Sequence, residues 1–378
     1  MATRRSALLL LLLGACVGPK PVVREPPPEL PAPDAHTLRL VTFNAWGVPL
    51  RDWHEDLLDA VAPALERYDA DVLVLQEVWF EDDAQRLAAN LASIGYVHEV
   101  HHASDAILAF DSAGLMIASK HPIVDHQLHP FQAGRLPVRP WHVDWFSGKG
   151  VATATIDHPA GRVRIATTHM QADYDGIVYT DVRVAQSAEL VAAVGRRPIH
   201  VVAGDFNSGS RDLEHRLLVE ALGLSSALTA EGIDDILVRD GVGVRGCWAS
   251  PPPTAKLDGG SVAISDHPIL IADLFVEDPN PEPPVLTESL RADLEAFFED
   301  RDRYRWLKRI GGWIAVLLGL FLTAAANRNR RRGGRRLGRV LLLALALLSA
   351  AGAYRGIAVG TARDRWREQA RAIVLAKP

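Results

Sequence analysis

Short runs of β-branched and aliphatic residues recur along this chain, and most of them close on a polar side chain. Leu38–Phe43 leads to Asn44, Val72–Leu75 to Gln76 and Glu77, and Leu115–Ala118 to Ser119 and Lys120. Val163–Thr168 leads to His169, Ile199–Ala203 to Gly204 and Asp205, and Ile269–Phe275 ends the series. Runs of this length and composition read as buried strands. Helical spacing lies between some of them, at Leu57, Leu58, Val61, Leu65 and Tyr68, and again at Val184, Leu190, Val191 and Val194. Strands interleaved with helices predict a layered α/β fold whose sheets are covered by helices. No low-complexity break interrupts residues 36–276, so one large domain is expected there. Only Cys16 and Cys247 are present, which excludes a disulfide scaffold and a cysteine zinc site. A core of this size needs neither.

Both ends carry membrane signals. Arg4-Arg5, the apolar run Ala7–Leu13 and the small residues Gly14-Ala15 before Cys16 have the layout of a secretory signal. The run is too short to span a bilayer. Leu13-Gly14-Ala15-Cys16 resembles a bacterial lipobox, so residues 1–15 are expected to be a lipoprotein-type signal peptide and Cys16 a lipidation site. The other reading is an ordinary signal peptide with a chance cysteine. Residues 16–35 are proline-rich and read as an extended tether. At the other end, Ile310–Ala326 has no charge, and a second apolar run goes from Val340 to Ala362, broken only by Arg355. Residues 306–362 are therefore expected to form two transmembrane helices around an arginine-rich loop, with 363–378 as a tail. Residues 327–339 hold seven arginines and no acid. By the positive-inside rule the loop stays in the cytoplasm, and the main domain lies outside. Residues 277–305 join the two parts through an acidic, proline-rich linker and a helix capped by Thr287. Its apolar residues are Leu290, Leu294, Phe297 and Phe298. That stripe suits either a membrane surface or the face of the globular domain.

The polar residues at the strand ends define a chemistry. Asn44, Glu77, His169, Asp205, Asn207, Asp266 and His267 are mostly hard oxygen ligands, with two histidines. Such a set suits Mg²⁺, with Mn²⁺ as the other option, whereas zinc favours more histidines. Phosphoester hydrolysis needs a base for water, charge on the phosphoryl oxygens and help for the leaving group. This set can supply all three. Any one of these residues, taken alone, also fits a cap or a turn.

The ordered set resembles the endonuclease/exonuclease/phosphatase superfamily, whose members are built like DNase I. The resemblance rests on Thr42-Phe43-Asn44, Gln76-Glu77, Thr168-His169, Gly204-Asp205-Phe206-Asn207, Ile233-Asp234-Asp235-Ile236-Leu237 and Ser265-Asp266-His267. It covers about residues 36–276 and implies a four-layer α/β sandwich, followed here by the transmembrane helical hairpin. Ser119–Ile123, Asp144–Gly150, Thr168–Tyr174 and Arg183–Gln186 are most similar to neutral sphingomyelinases. The resemblance implies Glu77 as a ligand for Mg²⁺, with Asn44 in the same metal site orienting phosphate or a metal-bound water and Asp266 adding to the shell. It implies His267 as general base, positioned by Asp234, with Asp205 and Asn207 aligning water and crowding the phosphoryl oxygens. His169 would contact a phosphoryl oxygen or assist the leaving group. Lys149 would bring charge to the phosphate and pair with Asp144 as a switch; Asp144 as a simple turn cap is the other reading. Trp141, Trp145 and Phe146 either meet lipid or choline, or pack beneath a loop.

The function expected is a membrane-tethered, Mg²⁺-dependent phospholipase C-type phosphodiesterase that splits sphingomyelin or a related phospholipid into phosphocholine and ceramide. Its expected partners are that lipid and a membrane, and its expected place is the bacterial cell envelope. One alternative is another phosphoesterase, a nuclease or phosphoinositide phosphatase. Another is a non-catalytic lipid-binding envelope protein. The net charge is −5, and without the seven arginines of the 327–339 loop it becomes −12. A nuclease needs basic surface, so the balance argues against nucleic acid.

Overall fold

Successive residues along the central strands face different cores. In β1 (Leu38–Asn44), Leu38 and Leu40 point one way and Val41 and Phe43 the other. In β2 (Val72–Gln76), Val72 and Val74 oppose Leu73 and Leu75. A strand apolar on both faces must be covered twice, and that requirement generates the layers. The computed structural model describes residues 30, 36–48, 52–103, 112–135, 142, 144–174, 179–195, 199–228, 232–276, 284–303, 305–331 and 336–374. Cys16, the 1–15 signal, nearly all of the 16–35 tether, Trp141, and residues 277–283 and 332–335 lie outside them. The described residues form two units, one running to Thr287 and one starting at Glu288.

The first unit holds two six-stranded sheets. One adds β3 (His98–His102), β4 (Leu115–Ser119), β11 (Val242–Ser250) and β14 (Ile269–Val276) to the first two strands, in the order β11-β14-β1-β2-β4-β3, while β12 (Thr254–Leu257) and β13 (Gly260–Ala263) pair separately. The other comprises β5 (Ile123–Pro130), β6 (Gly150–His158), β7 (Gly161–His169), β8 (Val201–Asp205), β9 (Leu224–Ser226) and β10 (Asp234–Arg239), in the order β5-β6-β7-β8-β10-β9. Leu40, Val74, Ile117, Ala154, Ile165, Ala203 and Ile236 share the core between the sheets. The outer face of the first sheet packs on α1 (His54–Asp59), α2 (Val61–Glu66) and α3 (Glu81–Ser93) through Leu57, Leu65, Leu87 and Leu91. The outer face of the second packs on α5 (Thr180–Val194) and α6 (Leu213–Leu222) through Leu190, Val194, Leu218 and Leu222. A short α4 (Asp144–Ser147) precedes β6. This is the four-layer sandwich expected. One detail differs: the spacing from Leu57 to Tyr68 suggests one helix, but the chain forms two, separated at Ala60.

Pairing is parallel for β1 with β2 and for β7 with β8. The carboxyl ends of both pairs therefore lie at one edge of their sheets. Gly204 permits this at β8: it has φ +147°, and a Cβ there would stand 2.1 Å from the Thr168 carbonyl oxygen. A larger residue would push the two strands apart.

The second unit is helical: α7 (Glu288–Arg303), α8 (Arg305–Arg331), α9 (Arg336–Ala353), a π-helical turn (Tyr354–Val359) and α10 (Gly360–Val374). Leu290, Leu294 and Phe298 of α7 are buried, as the stripe requires, and Phe297 is half-buried. Helix α8 packs on α9 and on the π-helical turn through small residues. Gly312 meets Gly356 so closely that a Cβ on Gly356 would lie 2.7 Å from the Gly312 Cα, and Gly352 faces Ala315. Large apolar side chains point outward instead, with Leu317 67%, Phe321 69% and Leu347 72% exposed. Small residues inside and large apolar residues outside invert the pattern of a water-soluble helix pair. Glu288–Arg328 and Leu342–Val374 are long and apolar enough to cross a membrane.

Candidate active site

The edge where the parallel pairs end gathers the polar residues. Asn44 closes β1 opposite Gln76 of β2, and Glu77 follows directly. His169 closes β7 opposite Asp205 of β8, and Asp205 pairs in turn with Asp234 at the start of antiparallel β10. Lys149 precedes β6, whose Gly150 lies opposite His169. His267 comes two residues before β14. Register within each sheet, together with the packing of the two sheets, thus brings together residues separated by more than 200 positions. Gln76 braces the two sheets beneath them: its amide donates to Thr42 Oγ1 at 3.1 Å and to Thr167 Oγ1 at 3.0 Å.

Asn44 Nδ2 donates to Glu77 Oε1 at 3.0 Å and to Asp205 Oδ2 at 3.1 Å. Its Oδ1 accepts the Trp46 backbone N–H at 3.0 Å. Asn44 thus turns its amide nitrogen, not its oxygen, to the site, and it positions two carboxylates. Glu77 and Asn207 have φ of 62° and 50°. Non-glycine residues in that region cluster at functional sites, where the surroundings impose the conformation.

His267 Nδ1 and Asp234 Oδ2 are 2.8 Å apart, with each side chain 8% exposed. The other ring nitrogen, Nε2, is 3.8 Å from Asp205 Oδ2 and 3.9 Å from Asp266 Oδ1. Asp266 is the most exposed of these acids and stands at the rim. His169 Nε2 is 2.8 Å from Lys149 Nζ and 3.5 Å from Asp205 Oδ2. Lys149 also lies 3.3 Å from Asp144 Oδ1. Asn207 donates its side-chain amide to the Met170 carbonyl and its backbone N–H to Asp205 Oδ1, both at 2.9 Å.

The electrostatics follow from burial. Desolvation pushes the Glu77 carboxyl up, against the pull of Lys149 and Asn44. Burial also raises Asp205, to about 7, with Asp234 adding to the shift and His267 opposing it. Burial, Lys149 and His267 together hold His169 well below the usual imidazole range, so it is neutral and can accept from Lys149. For His267, burial favours the neutral ring, but Asp234 and Asp205 outweigh it and raise the group well above its ordinary value. The sequence reading expects a neutral base here. The crowd of carboxylates makes His267 a cation unless another positive charge joins them. A divalent cation suits that need, because three buried acids share one edge with a single lysine. Asp205, Asp234 and His267 offer ligand atoms within 4.8 Å of one another, and Glu77 adjoins them through Asn44.

All ten candidates therefore occupy one neighbourhood. Two neighbours carried no role in the sequence reading. The Trp79 ring lies 5.2 Å from Lys149 Nζ and 5.6 Å from the His169 ring. Gln171 donates to Asp144. Their signal was adjacency, since Trp79 follows Gln76-Glu77 and Gln171 follows Thr168-His169. The side chains of Trp145 and Phe146 lie outside the described residues, as does Trp141. A second cluster, Asp71, His121 and His158, is well removed from this edge at the start of β2. The Ala160 N–H points at His158 Nδ1, which puts the proton on Nε2 facing Asp71. In that tautomer the His158 Nε2 carries a hydrogen and offers no lone pair to a cation.

The chain is 35% identical over 192 residues to the inositol phosphosphingolipids phospholipase C of Schizosaccharomyces pombe, covering 49% of this chain and 44% of that protein. It is 33% identical over 198 residues to sphingomyelin phosphodiesterase 2 of Homo sapiens, covering 50% and 45%. It thus matches about half the length of these curated relatives. The solved sphingomyelinase C from Streptomyces griseocarneus aligns with a TM-score of 0.49 and 22% identity, over 63% of this chain and 99% of that one. Residues 41–267 match the Endonuclease/Exonuclease/phosphatase family across more than half of the sequence, and the chain belongs to that family.

Proposed function

We propose that this protein is a metal-dependent phosphodiesterase of the phospholipase C type, acting on sphingomyelin or a related phosphosphingolipid. The observation that carries the reading is the pairing of a buried His267–Asp234 dyad with Glu77, Asp205, Lys149 and His169 at one sheet edge. The names of its relatives, which include a sphingomyelin phosphodiesterase and a phosphosphingolipid phospholipase C, support the lipid class. The metal is Mg²⁺, with Mn²⁺ able to replace it, because the donors are carboxylates and amides. Such an ion, held by Glu77 with Asp266 at the rim, would supply positive charge to the phosphoryl oxygens. Asn44 orients Glu77. His267 takes the proton of the attacking water and Asp234 holds its ring. Asp205 and Asn207 align that water. Neutral His169 and cationic Lys149 contact the phosphoryl oxygens, and Asp144 governs where Lys149 stands. With sphingomyelin the products are phosphocholine and ceramide.

The second part of the proposal is anchorage. Domain boundaries follow the sequence reading: signal at 1–15, tether at 16–35, catalytic domain at 36–276, linker and helix at 277–305, two spans with their loop at 306–362, and tail at 363–378. The outward apolar face of α8 and α9 supports the spans. Diacylation at Cys16 would add a second anchor, and the arginine loop would hold the hairpin with the catalytic domain outside the cytoplasm, in a bacterial envelope.

The test is turnover of sphingomyelin, inositol phosphosphingolipid, phosphatidylcholine, DNA and inositol phosphates by the full chain in detergent, with Mg²⁺ or EDTA. Turnover of a sphingolipid that EDTA abolishes is expected. Cleavage of DNA or inositol phosphates alone would move the chain to another activity on the same scaffold. Protease added to intact spheroplasts should cut residues 36–305 and spare an epitope within 328–339; the reverse pattern would overturn the topology.

A further inference from the structure

Asp144 is held from behind by a buried polar relay that begins on α5. Arg183, only 2% exposed, is the largest fully buried side chain among the described residues. It pairs with buried Glu214 at 2.7 Å and with Asp173 at 2.6 Å, and it donates to the Gln171 carbonyl at 3.0 Å. One turn further on, Gln186 accepts the Gln171 backbone N–H at 2.9 Å. Residues three apart on a helix share a face, so α5 clamps both backbone polar groups of residue 171. The Gln171 side chain is then aimed at Asp144, donating to Oδ2 at 3.0 Å, and the next backbone N–H, of Ala172, donates to the same oxygen at 2.7 Å. Two neutral donors occupy Oδ2. That leaves Oδ1 for Lys149, at 3.3 Å, while Lys149 makes the shorter contact, 2.8 Å, to His169 Nε2.

We propose that Gln171 is a positioning residue, held by Arg183 and Gln186, which fixes the Asp144 carboxylate so that Lys149 stays shared between Asp144 and His169. The inference rests on the proposed catalytic reading of Asp144 and Lys149. The physical reason is competition for one ammonium. With Oδ2 satisfied by neutral donors, the carboxylate is fixed in its plane and its remaining charge is partly spent. Without the Gln171 amide it can rotate and close both oxygens on Lys149, drawing the ammonium off His169 and away from substrate.

Gln171→Met keeps length and burial but removes the donor, and it leaves the Arg183–Glu214 pair intact, so the fold should hold. A hydrogen bond to a charged group accounts for about a 10- to 100-fold change in rate. Gln171→Met in the full chain should therefore lower kcat on sphingomyelin by about that factor, with KM and Tm near those of the wild type. Asp144→Asn should also lower kcat. The deciding measurement is the double variant, because a residue that acts only through Asp144 has nothing further to lose once Asp144 is changed. The expected result is a kcat equal to that of Asp144→Asn alone. Unchanged kcat in Gln171→Met, or losses that multiply in the double variant, would overturn the role of Gln171 and leave that of Asp144 standing. Full turnover by Asp144→Asn would overturn the underlying reading of Asp144 and Lys149.

Discussion

The His267–Asp234 contact gives the sharpest mechanistic test, through Asp234→Asn. The two groups meet at 2.8 Å with both side chains 8% exposed, so water can replace little of what is lost. Removing the charge from one hydrogen bond of this kind costs about 1.5–3 kcal/mol, or roughly 10- to 150-fold in rate. A second loss adds to it. Asparagine can offer its NH₂ to Nδ1, which places the ring hydrogen on Nε2, the nitrogen that must accept the proton of water. The combined loss should then approach the two to four orders of magnitude typical of a missing general base. The pH profile supplies an independent sign. Asp234 raises His267 against the effect of burial, so neutralising Asp234 lowers it. A base works in its deprotonated form, and the acid limb of kcat should therefore move to lower pH. The assay is steady-state turnover of sphingomyelin from pH 5 to 9, with circular dichroism to show a retained fold. Turnover within threefold of wild type, with the acid limb in place, would refute the dyad as the source of the base.

Other expectations follow from the same structure. Glu77→Gln should abolish EDTA-sensitive turnover, yet leave Tm in EDTA at pH 7 unchanged or higher. Burial raises the Glu77 carboxyl, so its ionised form opposes folding above that range, and glutamine removes the opposition; a large fall in Tm would contradict this. His169→Ala and His267→Ala should each reduce kcat by about two to four orders of magnitude, and a folded variant near wild-type kcat would lose its assigned role. Arg39→Met strands the Asp273 carboxylate, now bound at 2.7 and 2.9 Å with both side chains 3% exposed. That should cost about 3–5 kcal/mol, or about 6–20 °C in Tm. Arg39→Met with Asp273→Leu should recover most of it, and no recovery would show that a stranded charge is not the cause. Burial pushes the Cys247 thiol up to about 12, so it should resist iodoacetamide at pH 8 until the chain unfolds. A chain acylated at Cys16 then has no reactive thiol when native, and one rapidly labelled thiol would show Cys16 to be free.

Much of the site was legible from residue order, because strand-end polar residues announce themselves where an apolar run stops. Asn44, Glu77, His169 and Asp205 each sit at such a stop. The layering was legible too, since strands apolar on both faces have few ways to be buried. The C-terminal apolar helix pair stood out because seventeen uncharged residues in a row, Ile310–Ala326, suit few places in a water-soluble protein. What sequence order could not supply was the third partner in each contact. That Asn44 turns its amide to Glu77 and Asp205 depends on the Trp46 N–H claiming its oxygen. That the His267 ring is pushed toward its protonated form depends on carboxylates delivered by β8 and β10 to a place water scarcely reaches. Gln171 acquires its place only because α5, packed on the second sheet, turns Arg183 and Gln186 toward it. Strand and helix patterns are written in neighbouring residues and can be read along the chain. Protonation and side-chain orientation arise from burial and from charges brought together across the fold, so tertiary structure alone decides them.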